Sequence, residues 1–474
     1  MESSIVKIRE KLGGRYMDYR TQRDSMGEIQ VPVEAKWGPQ TQRSKENFLI
    51  GHEKMPQPLI EALILIKQTA AVANLAVGKL SSKKSQAIYQ AAQQLLDDQT
   101  ALMTHFPLSV WQTGSGTQTN MNANEVIAHF ATTEELSIHP NDDVNCSQSS
   151  NDVFPTAIHI AATESVVHRL FPVMDQVIGQ LEKLEKTYQS TIKIGRTHLQ
   201  DATPVTFAQE VSGWRAGLQH TKQMIDSTLR EMRQLPIGGT AVGTGLNASG
   251  AYVDAFIQQV NKKTGLEFVE LKNKFHGLAN KDALVFLSGA LKALAANSMK
   301  MANDVRWLAS GPRSGFGEIT LPANEPGSSI MPGKVNPTQC EALCMVAIQV
   351  MGNDTAIGFA ASQGNFELNV YMPVLAYNLL QSIDLLTDSL RSFEEKCLRG
   401  LTVNEEKMAT YVNQSLMLVT ALNAHIGYDK GAEIAKKAFT EQLTLKEAAL
   451  ELAYVTEQEY DEWVRPESML GENA

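Results

Sequence analysis

Residues 327–337 read GSSIMPGKVNP, and within these eleven positions stand two adjacent serines, Ser328 and Ser329, one lysine, Lys334, and an asparagine, Asn336. Five of the eleven are Gly, Pro or Asn, so the stretch reads as a loop, although long helical patterns flank it on both sides. Hydroxyls, an amide and a single cation on a loop between helices are the inventory of a catalytic loop that handles a small anion. Three more stretches rich in Ser, Thr, Asn and Gly interrupt the helical patterns: TGSGTQTNMNANE at 113–125, HPNDDVNCSQSSND at 139–152 and GRTHLQDATP at 195–204. Each is expected to lead into a helix and so to offer free backbone N–H groups at a positive dipole end. Several such ends meeting in one place bind an anion well. Ser, Thr, Asn and Asp are also ordinary helix N-caps, so for one loop alone capping is the plainer account, and spacing does not show that the four loops converge.

The alternatives can be weighed on residue types. None of the loops has the lysine of a phosphate-binding P-loop. GGTAVGTG at 238–245 is glycine-rich but follows no clear strand, which speaks against a nucleotide loop. Cys and His are not spaced for zinc. Ser328, His198 and an acid could form a hydrolase triad, but there is no G-x-S-x-G elbow and little sheet to carry one. Acid–base chemistry on a small anion suits the inventory and needs no cofactor and no metal. Lys334 supplies the positive charge.

These loops must be positioned by helices. In 171–190, Met174, Val177, Leu181, Leu184 and Tyr188 recur at alternating spacings of three and four, the seam of a bundle or coiled coil. Residues 205–233 repeat the pattern with Phe207, Val211, Trp214, Leu218 and Ile225. Residues 281–310 contain one glycine and no proline, and such a helix would be roughly 45 Å long. Further helical patterns cover 155–170, 338–360 and 373–398. An elongated, mainly all-α bundle is the architecture these patterns describe. Strand signals are confined to the first fifty residues and short connections. Breaks near 139 and Gly400 divide the chain into 1–139, 140–399 and 400–474.

Composition narrows the function classes. The chain has 474 residues, 43% hydrophobic and 20% charged, with 42 Lys+Arg against 52 Asp+Glu and a net charge of -10. That balance argues against a general nucleic-acid binder. No run of about 18 consecutive apolar residues is present, so no membrane span is expected, and MESSIVKIREKLGG lacks a signal-peptide core. Four cysteines, Cys146, Cys340, Cys344 and Cys397, are too few for a disulfide framework and imply a reducing compartment. A cytoplasmic location is expected, or the mitochondrial matrix if a transit peptide has been removed.

On these motifs the chain resembles the fumarase/aspartase superfamily, whose members eliminate across a C–N or C–O bond to release fumarate, or do the reverse. The resemblance runs from YRTQRDSMGEIQVP at 19–32, through all four polar stretches, to the small C-terminal tail. The local spellings are similar to class II fumarase. TGSGTQTNMNANE has Ser115 and Gln118 where aspartases read G-A-G-T-S, and MPGKVNPTQCEA has Gly333 and Thr338-Gln339-Cys340 where aspartases read M-P-A-K-V-N-P with another continuation. HPNDDVN and RTHLQDATP also fit.

The resemblance implies a three-domain fold with a long central five-helix bundle, four chains packing into a twenty-helix core, and active sites shared by three subunits. It implies reversible, stereospecific hydration of fumarate to L-malate, a tricarboxylic acid cycle reaction, through a carbanion (aci-carboxylate) intermediate. Ser328 would remove the C3 proton, and His198 would handle the water proton, oriented by Glu341. Lys334 and Asn336, with Ser329 and Val335 beside them, would hold the substrate carboxylates, together with Ser115, Gly116, Thr117, Ser149, Ser150, Asn151 and Thr197. His139, Pro140, Asn141 and Asp142 match a second anion site near the active-site entrance. The family pattern has Arg where this chain has Leu136 and Lys where it has Cys146. The alternatives are an aspartate ammonia-lyase of the same superfamily and a non-enzymatic, crystallin-like structural protein. Intact Ser328, His198, Lys334 and Glu341 argue against the latter. The roles are physically consistent: a serine is a poor base until donors stabilise its alkoxide, histidine titrates nearest neutral pH, and a neighbouring carboxylate fixes its tautomer.

Overall fold

A computed structural model of the chain describes residues 8–12 and 15–471. It opens with an antiparallel sheet of β1 (Ile8–Leu12), β2 (Arg15–Asp24) and β3 (Gly27–Pro32). The helices that follow are α1 (Pro39–Asn47), α2 (Gln57–Ala76), α3 (Ser82–Asp97), α4 (Thr117–Ala131), α5 (Ser150–Ser165) and α6 (Phe171–Thr187). A hairpin of β4 (Ile192–Thr197) and β5 (Gln200–Thr206) precedes α7 (Phe207–Met232). Then come α8 (Gly250–Thr264), α9 (Lys274–Ala279), α10 (Asp282–Leu308), α11 (Thr338–Ala361) and α12 (Met372–Lys396). Short helices between 405 and 463 complete the chain. The fold is mainly α, and the long helices fall where the apolar periodicity puts them. Met174, Val177, Leu181 and Leu184 are buried, as are Phe207, Val211, Trp214, Leu218 and Ile225.

The described residues form two compact units, each assembled from separate stretches of chain. The first comprises Met1–Phe171, Gln223–Ala293 and Ile348–Leu386. Its core helix is α2, apolar on nearly every face, with Leu59, Ile60, Leu63, Ile64 and Ile66 fully buried among α3, α5 and α8; a helix hydrophobic all round belongs inside. Glu125, buried in α4, caps α1 across the unit: its carboxylate accepts from the backbone N–H groups of Gly38, Gln40 and Thr41 at 2.9–3.1 Å and from the Thr41 hydroxyl at 2.6 Å. That satisfies donors a helix start leaves open.

The second unit comprises Pro172–Lys222, Leu294–Ala347 and Thr387–Ala474. Within it Trp214 Nε1 donates to Asp304 at 2.8 Å and Arg215 Nε to Glu185 at 2.5 Å. A small core of Leu422, Ile434, Ala448, Ala449 and Tyr460, with Ile192 packed against it, holds the C-terminal helices to the β4–β5 hairpin.

Candidate active site

In the first unit two of the polar stretches converge. The Ser115 hydroxyl lies 2.8 Å from that of Thr117, which lies 2.8 Å from that of Ser150. The chain of hydroxyls joins the N-terminus of α4 to the N-terminus of α5, two positive dipole ends with open backbone donors. Gly116 makes the approach possible. It takes φ of 73°, and a Cβ there would lie 2.3 Å from the Phe154 ring, so only glycine fits. Ser149 is the N-cap of α5 and accepts from Asn151 N at 3.2 Å. The Asn151 side chain donates to the Ala241 carbonyl at 2.8 Å, which ties in the glycine-rich stretch 238–245.

Two residues here escaped the sequence reading. Asp152 closes the capping box on Ser149 N at 2.9 Å, and its other oxygen accepts from Gly238 N and Thr240 N, both at 2.9 Å. Burial raises its pKa, against the pull of those hydrogen bonds. The S-x-x-D spacing of a capping box was the available signal. Lys67, fully buried in α2, donates to Asn145 Oδ1 and Gln148 Oε1 at 2.9 Å each, bracing the segment just before Ser149. Burial pulls its pKa down to about 7, with Asp152 opposing. Nothing in the sequence marks it, because a lysine in an apolar helix reads as an exposed side chain.

In the second unit the 195–204 stretch leads into α7 as expected, but His198 occupies the tip of a hairpin that the sequence did not indicate. Thr197 pairs with Gln200, so His198 and Leu199 form a two-residue turn, with φ of 57° and 61°. Such turns favour Asn-Gly, and a left-handed residue other than glycine costs ~1–2 kcal/mol. The turn stands on a braced strand. Arg196 forks onto Glu318 with two bonds of 3.0 Å, and Lys193 sits 3.2 Å from Glu210 and 3.5 Å from Glu318. Thr197 and His198 are exposed.

The 327–337 stretch is an irregular loop, as expected, and runs into α11. Ser328 Oγ accepts from Ile330 N at 3.3 Å, and Lys334 N donates to Met331 O at 3.2 Å. Gly327, with φ of 77°, lies so close to the Lys334 carbonyl that a Cβ would come within 1.8 Å of it, which pins the loop's two arms together. Ser328 and Asn336 are partly buried, while Ser329, Lys334 and Val335 are exposed. Glu341 lies in the first turn of α11, exposed; among the described residues no hydrogen bond joins it to His198.

At the proposed second anion site, Pro140–Val144 forms a single π-helical turn capped by His139, whose Nδ1 accepts from Asp142 N at 3.1 Å. Asn141 and Asp142 are exposed. The neighbouring Asp143 accepts from His139 N at 2.8 Å and is bound by Lys84 at 2.7 Å. Leu136 contributes no charge.

A lyase family model matches residues 27–352, and a Fumarase C C-terminus model matches 418–471. The chain is 56% identical over 459 residues to a class II fumarate hydratase of Oceanobacillus iheyensis, covering 96% of this chain and 99% of that one. It is 55% identical to the Helicobacter pylori class II fumarate hydratase, covering 97% and 100%. Its fold matches the crystal structure of a class II fumarase from Schistosoma mansoni with a TM-score of 0.92 at 44% identity, covering 95% and 99%. Near-complete coverage in both directions, by sequence and by fold, means that the chain belongs to the class II fumarate hydratase family of lyases.

Proposed function

We propose that the chain interconverts fumarate and L-malate by the acid–base route. The observation that carries the reading is the hydroxyl chain Ser115–Thr117–Ser150, set at two helix N-termini with Asn151 beside it. Such donors suit a carboxylate, and they favour the intermediate because removal of the C3 proton puts additional negative charge on that carboxylate. In the dehydration direction Ser328 takes the C3 proton and the electron pair moves into the adjacent carboxylate, giving the aci-carboxylate. The C2 hydroxyl then leaves as water with a proton from His198, whose imidazole Glu341 orients. Lys334, Asn336, Ser329, Val335 and Thr197 complete the grip on the dicarboxylate, and His139–Asp142 forms an entrance site for a second anion.

A homotetramer with shared sites is the assembly that this reading requires. Support comes from α11, where Glu341, Met345, Ile348, Gly352, Thr355 and Phe359 follow alternating spacings of four and three and are all exposed. A mostly apolar seam of that period is what a helix offers to partner helices. Five helices from each of four chains would give the twenty-helix core, with the chain divided as 1–139, 140–399 and 400–474. The four free cysteines suit a cytoplasmic setting. The deciding experiment is an assay of the purified protein by absorbance of fumarate with L-malate and, separately, L-aspartate. Turnover of malate alone is expected. Turnover of aspartate would favour the ammonia-lyase reading, and turnover of neither the structural-protein reading.

A further inference from the structure

We infer that Arg196 and Glu318 are positioning residues, which hold the His198–Leu199 turn in a backbone conformation that the turn does not favour by itself. The inference rests on the assignment of His198 to proton handling.

The hairpin is weakest where precision matters most. Its register shifts between Ile194 and Arg196: Ile194 faces Pro204, while Arg196 faces Asp201. One extra residue is therefore accommodated on β5, a bulge that re-aims the strand end. Beyond the bulge only the pairs Arg196–Asp201 and Thr197–Gln200 remain before the turn. Both turn residues have positive φ without being Gly, Asn or Asp. Leu199 is 61% exposed, so packing does not pin it. Among the described residues, no side-chain hydrogen bond is made by Thr197, His198, Leu199, Gln200 or Asp201.

Arg196 is the anchor of this short arm. Its two-pronged bond fixes direction as well as distance, and its guanidinium lies 4.3 Å from the Phe316 ring and 5.9 Å from the Tyr411 ring. The Tyr411 hydroxyl in turn donates to Phe316 O at 3.0 Å. Glu318 is itself immobilised: it is fully buried, its N–H donates to Leu308 O at 2.9 Å, and its carbonyl accepts from Asn404 N at 2.8 Å. Lys193 and Glu210 complete a set of two cations and two anions. Apolar residues would hold a strand against the unit at least as well as buried charges. What the ionic fork adds is orientation of the two residues that follow it.

The test is a mutant cycle in the full-length assembled enzyme, read as kcat and KM for malate dehydration, with thermal melting and native mass spectrometry as controls. Glu318→Gln keeps the shape but removes the charge from the fork, and is expected to lower kcat by ~100-fold, the scale of a 1 Å misplacement, with KM changed far less. Leu199→Gly gives the turn the residue its second position favours, so the turn holds itself. Added to Glu318→Gln, it is expected to recover most of the lost kcat. A role in folding alone would lower the melting temperature without such a recovery. Normal kcat in Glu318→Gln, or a loss that Leu199→Gly does not repair, overturns the inference. If Glu318→Gln does not assemble, Arg196→Lys, which keeps the charge but not the fork, is judged by the same two outcomes. His198→Asn separates the two readings. Full turnover in that variant overturns the assignment of His198 itself, whereas an inactive His198→Asn beside an unimpaired Glu318→Gln overturns only the positioning role.

Discussion

Ser328 shows how little a residue type says without its surroundings. A serine on an irregular stretch before a helix is ordinarily a cap, and here its Oγ does accept a local backbone N–H. What sets it apart is the loop pinned by Gly327 against the Lys334 carbonyl, which holds serine and lysine on facing arms. Ser328→Ala is expected to abolish exchange of the malate C3 proton and to lower kcat by roughly three orders of magnitude or more, with assembly unchanged. Isotope exchange in heavy water checks it, and near-normal exchange would remove Ser328 from the mechanism. Lys334 is the only cation in 327–337. A unit charge ~4 Å from a carboxylate contributes about 4 kcal/mol at an effective dielectric of 20 before screening by solvent. Lys334→Met should therefore weaken a dicarboxylate inhibitor by at least ~tenfold, measured by inhibition titration. Unchanged affinity would assign the binding to the hydroxyls and helix ends.

At the scale of elements, α5 carries a binding end and a titrating flank. Its N-terminus holds Ser149, Ser150 and Asn151, while Glu164, one residue before its end, is half-buried. Burial, helped by the charge of Glu61, pushes the Glu164 carboxyl up to about 7 from an ordinary 4.5. The folded protein therefore keeps a proton that the unfolded chain releases between about pH 4.5 and 7. Stability falls as pH rises through that window, and above it the half-buried carboxylate is a standing cost on the order of 3 kcal/mol. Glu164→Gln removes that cost. Its melting temperature should exceed that of the parent at pH 8 and match it near pH 4. A gain that is the same at both values would mean that the carboxyl does not titrate in this window.

At the scale of the whole molecule, the candidate site residues fall into two sets, Ser115 to Asn151 in one compact unit and Thr197 to Glu341 in the other. In the proposed tetramer, sites shared by three subunits would draw these loops from three chains, His198 and Ser328 from different ones, with the exposed α11 seam as the contact surface. Ser328→Ala and His198→Asn should each be inactive alone. Co-refolded, they should recover part of the malate dehydration activity, because some mixed sites draw both intact loops from different chains. No recovery in mixed tetramers confirmed by native mass spectrometry would mean that every site is built within one chain.

The long helices were legible in the sequence because burial of one helical face imposes a period of 3.6, and that period survives in Met174–Leu184 and Phe207–Ile225 whatever the neighbours are. The 327–337 loop was legible for a related reason: two prolines and two glycines within eleven residues break any helix, and hydroxyls, an amide and a lysine crowded there marked it as a candidate site. Convergence was not legible. That Thr117 meets Ser150, thirty-three positions later, depends on how α4 and α5 dock, and docking is settled by side-chain shape, such as the Phe154 ring against Gly116. The hairpin under His198 was missed because RTHL carries no turn residue; its conformation is held by tertiary contacts that override local preference. Lys67, Arg196 and Glu318 were invisible for the same reason, whereas Asp152 left only the S-x-x-D spacing as a trace. A charged side chain is read from sequence as solvated, and only the folded chain shows a buried charge with the partners that make its burial tolerable.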